Sequence, residues 1–229
     1  MGFCRVMALR VEKPAIGALV GLLEDVRRRT VALVEDLDDQ VMHRSLGPVL
    51  SPLVWDLAHI AAYEDLWCVH RLGGEPLLHS DLAETYDAFD TPRSKRTQIE
   101  LLDRPATQAY LDDVRTRTLE VLHRTGPQHL HELVLRHELQ HTETMRQALF
   151  LGRLPGGRAE AMPALDSDTD WIEVPAGTAW LGARHDCFAY DNERPRHALK
   201  MAAFRIARTP VTNASWLGFT EGGGYQRRE

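Results

Sequence analysis

Apolar residues recur at helical spacing through the first two-thirds of the chain; past Leu154-Pro155-Gly156-Gly157 the pattern shifts to short strand-like runs. That change of period constrains the fold more than any other feature. A stripe of period 3.6 must be buried against other helices, whereas a run of period 2 must be paired in a sheet. Four long helical segments are predicted before the break. The first covers about 14–37, with Pro14 suited to the opening turn, and the second runs from Ser51 as N-cap and Pro52 as first helical residue to about 72, where Gly73-Gly74 stops it. The third covers about 105–123, and the fourth, about 128–151, ends at Gly152. A long excursion, about 75–104, separates the second from the third. The predicted architecture is an antiparallel four-helix bundle over residues 1–155. From Trp171 onward, Trp171-Ile172-Glu173-Val174 and Thr178-Ala179-Trp180-Leu181 flank a Pro-Ala-Gly turn, with further strand-like runs near 199–206. They predict a second domain over 170–229. With no disulfides, about 60 residues is a thin basis for an independent fold.

With 44% hydrophobic residues in 229, the chain can bury a substantial core. Its net charge of -6, with acidic residues spread throughout, argues against a nucleic-acid footprint, which needs a clustered basic face. The apolar stretch 15–23 is too short to span a bilayer and runs straight into Glu24-Asp25-Val26-Arg27-Arg28-Arg29. No signal-peptide cleavage site follows it, and Val6 stands where a myristoylation motif needs Ser or Thr. A cytoplasmic protein without membrane attachment is expected. Cys4, Cys68 and Cys187 are odd in number and widely separated, so neither a disulfide framework nor a CxxC metal site is available; Cys68 reads as a small core residue.

The chemistry concentrates in His137-Glu138-Leu139-Gln140-His141. Histidines four apart on a helix share a face and can hold one metal ion. The string also spells the zinc-protease motif H-E-x-x-H. A metzincin, however, continues with a Gly and a third His, and here Thr142-Glu143-Thr144-Met145-Arg146-Gln147 follows. Other zincins take a Glu from a downstream helix, where this chain turns into its Gly/Pro linker and strands. A third ligand is available upstream. His59 shares a helical stripe with Trp55, Ala62 and Leu66 that should face the bundle interior, where an imidazole needs a hydrogen-bond partner or a metal. On this reading Glu138 is an ordinary helical residue, and His70, His79, His123, His129 and His131 are surface residues. Three neutral imidazoles leave a dication uncompensated by protein, so an anionic group such as a thiolate would be drawn in. Imidazole ligands suit iron and zinc alike.

At these residues the chain resembles a known family. Leu50-Ser51-Pro52-Leu53-Val54-Trp55-Asp56-Leu57-Ala58-His59-Ile60, Tyr86-Asp87-Ala88-Phe89-Asp90 and His137 to Met145 are similar to the DinB-like helical domain of hercynine oxygenases, most of all the actinobacterial ones. Asp191-Asn192-Glu193-Arg194-Pro195, Phe204-Arg205-Ile206, Pro210 to Trp216 and Gly223-Gly224-Tyr225 resemble the start of a formylglycine-generating-enzyme domain, also called sulfatase-modifying-factor and C-type-lectin-like. The resemblance implies a mainly α protein: a DinB-like bundle, then the first part of an α+β domain. It implies an iron(II) sulfoxide synthase of ergothioneine biosynthesis, which uses O2 to join the sulfur of gamma-glutamylcysteine, or of another thiol such as cysteine, to the imidazole of hercynine. His59, His137 and His141 would be the Fe(2+) ligands, Gln140 would help hold the trimethylated substrate, and Arg93 and Arg96 would bind the carboxylates of the thiol peptide. A guanidinium fork suits that last role, since it reads a carboxylate through two parallel bonds. The family's catalytic tyrosine lies further into its second domain. Tyr190 and Tyr225 belong to other motifs, so no catalytic residue is assigned here, and the chain is expected to be a truncated form, inactive alone.

Two readings need less of the resemblance. One is a DinB-like zinc or nickel thiol transferase or hydrolase that uses no O2. The other is a non-catalytic, metal-stabilised module.

Overall fold

The structure is a computed structural model describing residues 15–156, 170–185 and 188–227. Pro14, Gly157, Cys4 and Cys187 lie outside the described residues. The chain divides into two compact units, Met1–Ala159 and Glu160–Glu229.

The first unit is helical. Its elements are α1 (Ile16–Ala32), a short α2 (Asp39–His43), α3 (Leu53–Glu64), α4 (Arg104–Thr125) and α5 (His129–Leu151). α3 packs on α4 and α5, and α1 on both of those helices. Each helix carries the stripe its contacts require. α1 buries Leu19, Leu23, Val26, Arg27 and Thr30, one face at helical spacing. α3 is buried on every side from Leu53 to Ala61, as befits the central helix. Leu57, Ile60, Val114, Met145 and Leu149 meet in the main core, each fully enclosed side chain contributing roughly 1.5–3 kcal/mol.

Several ends differ from expectation for identifiable reasons. Pro52, rather than Ser51, sits at the N-cap of α3, and the Ser51 hydroxyl instead accepts a hydrogen bond from Arg96 at 2.8 Å. The second helix does reach Leu72, but from Asp65 it is wound as a π-helix, with the Gly73 amide donating to the Cys68 carbonyl five residues back. Gly73 is obligatory there: a Cβ would lie 2.5 Å from the Val69 carbonyl oxygen and 2.7 Å from Val121 on α4. α4 opens with Asp103 capping the Ala106 amide and Pro105 in the first turn, and closes at Gly126 with φ +69°. At the start of α5, His131 is fully buried, contrary to the surface position expected of it. Its Nδ1 accepts the Gln128 amide at 3.2 Å and closes a capping box. Cys68 is enclosed beside Leu19, Leu23 and Leu122.

The excursion between α3 and α4 has a single turn of 3-10 helix, Arg93–Lys95, and is fastened to the bundle by Tyr86. That side chain is 1% exposed and packs on Trp55 and Ala58, and its hydroxyl accepts the Leu102 amide at 2.8 Å.

The second unit has two antiparallel pairs. β1 (Trp171–Val174) pairs with β4 (Phe204–Ala207), and β2 (Gly177–Leu181) with β3 (His197–Met201). A helix, α6 (Asn213–Glu221), follows, capped by the Thr212 hydroxyl. Sequence periodicity did not indicate α6. Among the described residues of this unit only Ala189 is buried. No helix among the described residues is long and apolar enough to cross a membrane.

Candidate metal centre

α3 and α5 bring His59, His137 and His141 together, with one ring nitrogen from each lying within 4.8 Å of the others. The Nε2 atoms of His59 and His137 are 3.2 Å apart. Two nitrogens held about 2.0–2.1 Å from one ion stand roughly 3.0–3.4 Å apart, so this pair has the spacing of two ligands in one coordination sphere. Each imidazole is fixed by a different contact. Nδ1 of His59 donates to the Tyr86 carbonyl at 2.6 Å, which leaves its Nε2 lone pair facing His137, and its ring stacks on Trp55 at 4.7 Å. His137 lies flat against Tyr63, ring centroids 3.7 Å apart and planes within 11°. Nδ1 of His141 is 3.2 Å from Asp56 Oδ1, an arrangement in which the imidazole N–H donates to the carboxylate. Burial, then the neighbouring His141, lowers the pKa of His59 to about 4; burial, then His141 and His59, lowers that of His137 to about 2. Both are therefore neutral near pH 7, the form that binds a metal. The donor set fits a dication.

The expectation that the protein leaves such a charge uncompensated is corrected by Asp56, 3% exposed and directly behind His141. Glu138 is also more than an ordinary helical residue. It is 1% exposed and turned away from the histidines, accepting from Arg27 Nε at 2.9 Å and from an Arg115 terminal nitrogen at 2.8 Å. Glu64 closes the quartet with bonds from the same two arginines at 2.7 Å. Burial alone would raise the Glu64 pKa, but Arg115 and Arg27 outweigh it and hold the carboxyl at about 2. A carboxylate locked between two guanidiniums cannot serve as the general base of a protease.

Two clefts meet at His59. The larger, about 460 Å³, is lined by Trp55, Asp56, His59, Arg93, Arg96, Gln140 and His141. Of the six site residues that the family resemblance implies, all but His137 lie on its wall. Arg93 and Gln140 are exposed there. Arg96 is buried instead: at 5% exposure it donates to the Thr91 carbonyl at 2.9 Å and to Ser51, and its guanidinium lies 3.4 Å over the Trp55 ring. Arg96, Trp55 and His59 thus form one continuous stack. Burial lowers the Arg96 pKa to about 10, which still leaves it charged at neutral pH. The smaller cleft, about 140 Å³, reaches His59 from a side lined by Tyr63, Asp65, His79, Tyr86 and Tyr110. His79, expected at the surface, is half-buried there, edge-on to Tyr110. Ala62 and Leu66, expected to face the bundle interior, are half-buried on this wall.

Sequence reasoning passed over Asp56, Tyr63 and the Tyr86 carbonyl. The first two had a signal, since they stand three residues before and four after His59 and so share its helical face. A main-chain carbonyl carries none.

Comparison with known proteins places these features in context. A profile of the DinB superfamily matches residues 22–152, and one of the sulfatase-modifying factor enzyme 1-like domain matches residues 158–229. The chain is 40% identical over 220 residues to the hercynine oxygenase of Mycolicibacterium smegmatis, covering 88% of this chain and 49% of that protein. It is 39% identical over 235 residues to that of Mycolicibacterium thermoresistibile, covering 95% and 51%. To that of Mycobacterium tuberculosis it is 38% identical over 216 residues, covering 89% and 50%. The chain spans about half the length of the curated relatives it matches.

Proposed function

The chain belongs to the DinB superfamily, and from that premise we propose that it carries the metal centre and thiol-binding cleft of an iron(II)- and O2-dependent sulfoxide synthase acting on hercynine and gamma-glutamylcysteine. The observation that carries this reading is the convergence of three imidazoles beside a cleft that also holds Arg93, Arg96 and Gln140. The similarity to hercynine oxygenases supports hercynine and a thiol as the substrate class.

His59, His137 and His141 would hold the iron. Bound iron would supply the redox chemistry by which O2 accepts electrons from the thiol and the imidazole C–H; one oxygen goes to the sulfoxide and the other leaves as water with the two displaced hydrogens. The protein's own residues bind and orient. Arg93 presents a guanidinium fork at the cleft mouth, where a substrate carboxylate finds both charge and paired donors. Arg96 has two roles. It anchors the cleft wall through Thr91, Ser51, Ala88 and Trp55, and its guanidinium brings a fixed positive charge to the cleft lining. A dicarboxylate thiol held by this pair has its sulfur directed toward His59 and His141. Gln140, three residues after His137 and one before His141 on α5, lies on the same wall and can turn its amide toward the second substrate.

The test is thiol binding at the metal. The chain is loaded anaerobically with cobalt(II), a spectroscopic stand-in for iron(II), and titrated with gamma-glutamylcysteine. A thiolate-to-cobalt charge-transfer band is expected, weaker in affinity for Arg93→Ala and absent for His59→Ala. A longer protein that contains this chain together with the family's catalytic tyrosine, loaded with iron(II) and given hercynine, the thiol peptide and O2, is expected to form the sulfoxide, detected by mass spectrometry. Zinc-loaded protein that transfers or hydrolyses the thiol without O2, or cobalt protein with no charge-transfer band, would contradict the proposal.

A further inference from the structure

The three imidazoles are fixed in unequal ways. His59 donates to a main-chain carbonyl, which no substitution removes, and His137 is held by the flat face of Tyr63. Only His141 leans on a charged side chain, the carboxylate of Asp56 at 3.2 Å. Asp56 lies one turn before His59 on α3, is 3% exposed, and forms part of the wall of the larger cleft. A carboxylate so enclosed is costly unless something positive faces it. Its surroundings offer the positive charge of Arg96 and the N–H of His141. Its place in the first turn of α3 also suits the helix dipole, a purely structural benefit that an experiment must separate from any role at the site.

We propose that Asp56 is the positioning residue of the metal centre: it fixes His141 as the Nδ1–H tautomer, aims Nε2 at the ion, and supplies the negative charge that three neutral ligands lack. The inference rests on the reading of the three histidines as a metal site. A carboxylate behind a ligating imidazole raises that ligand's basicity and prevents its ring from turning, and losing such a partner typically costs 10–100-fold in metal affinity. Asp56 and Arg96 line the same cleft and interact electrostatically, so the carboxylate reduces the positive charge an incoming anionic substrate meets.

The test uses the full chain with cobalt(II) alone, in competition with a chromophoric chelator, on wild type, Asp56→Asn and Asp56→Ala. Asn keeps an acceptor for the His141 N–H and removes only the charge, whereas Ala removes both. Affinity is expected to fall by about 10–100-fold in Ala and by less in Asn, with a change in the visible cobalt bands that reports an altered ligand field. A structural role alone would lower the melting temperature and leave affinity and bands unchanged. That result in folded Asp56→Asn overturns the proposal even if Asp56→Ala does not fold. Wild-type protein that binds no cobalt overturns the metal reading itself, and the proposal with it; wild-type binding with unaltered variants overturns the proposal alone.

Discussion

On one face of α3 and α5, Glu64 and Glu138 meet Arg27 and Arg115; on another face of the same helices, His59 meets His137 and His141. The first cluster is closed. Two anions and two cations face one another and cancel, sealed in the bundle and tying α1, α3, α4 and α5 together. The second is open. His59 and His137 are neutral and present nitrogens to each other at hydrogen-bond distance, and a cleft runs alongside. Adjacent residues on α5, His137 and Glu138, belong to different clusters, which shows how one helix separates stability from chemistry by 100° of rotation.

The contrast is broken most forcefully at the closed cluster. Glu64→Ala leaves two buried guanidiniums with only Glu138 between them and should cost about 3–5 kcal/mol in urea denaturation; a loss below about 1 kcal/mol would mean the quartet is not a structural unit.

Acid should act on the histidine cluster before it reaches the closed one. His59 titrates at about 4 in the folded chain and near 6.5 when unfolded, so the unfolded state binds more protons as pH falls from 6.5. His59 should therefore remove about 3 kcal/mol of stability from metal-free protein between those values and then level off, while His137, lowered to about 2, adds a loss that starts at the same pH and continues below 4. Glu64 is depressed to about 2 from 4.5, so its contribution is complete above 4.5 and disappears as pH falls toward 2. Urea midpoints measured from pH 7 to 3 should show the histidine window first; a flat profile between 6.5 and 4 would contradict the assigned burial of His59.

At the open cluster, His137→Ala should reduce metal affinity by about 100-fold or more, exceeding the loss of an outer-shell partner. Metal-free stability should fall far less than in Glu64→Ala, and chelator competition with urea denaturation checks both. The smallest effect belongs to Arg93→Ala. Exposed at the cleft mouth, it should leave stability within about 0.5 kcal/mol by thermal melting while weakening gamma-glutamylcysteine binding.

Much of the first unit was legible in sequence, because long amphipathic helices declare both their period and their ends: Pro105, Gly126 and Gly152 stand where the chain starts or stops. The histidine trio was legible by the same logic, as a pair four apart plus a lone imidazole on an apolar stripe. What stayed hidden depended on long-range partners. Glu138 looks like any helical glutamate until Arg27 and Arg115, from two other helices, reach it. His131 looks exposed until its capping bond is seen, and the sequence carries no sign that Arg96, unlike Arg93, stacks on Trp55. Short elements were hidden for a different reason: α2 has too few turns to show a period, and the π-turns after Glu64 keep the composition of a helix while changing its pitch.

The central claim is that His59, His137 and His141 hold one ion. X-ray absorption on the anaerobically iron(II)-loaded chain, with metal analysis of wild type and His59→Ala, tests it most directly. The account predicts one iron per chain, scattering from three imidazoles, and loss of the metal in the variant. Full iron content in His59→Ala, or a spectrum without imidazole scattering, would contradict it.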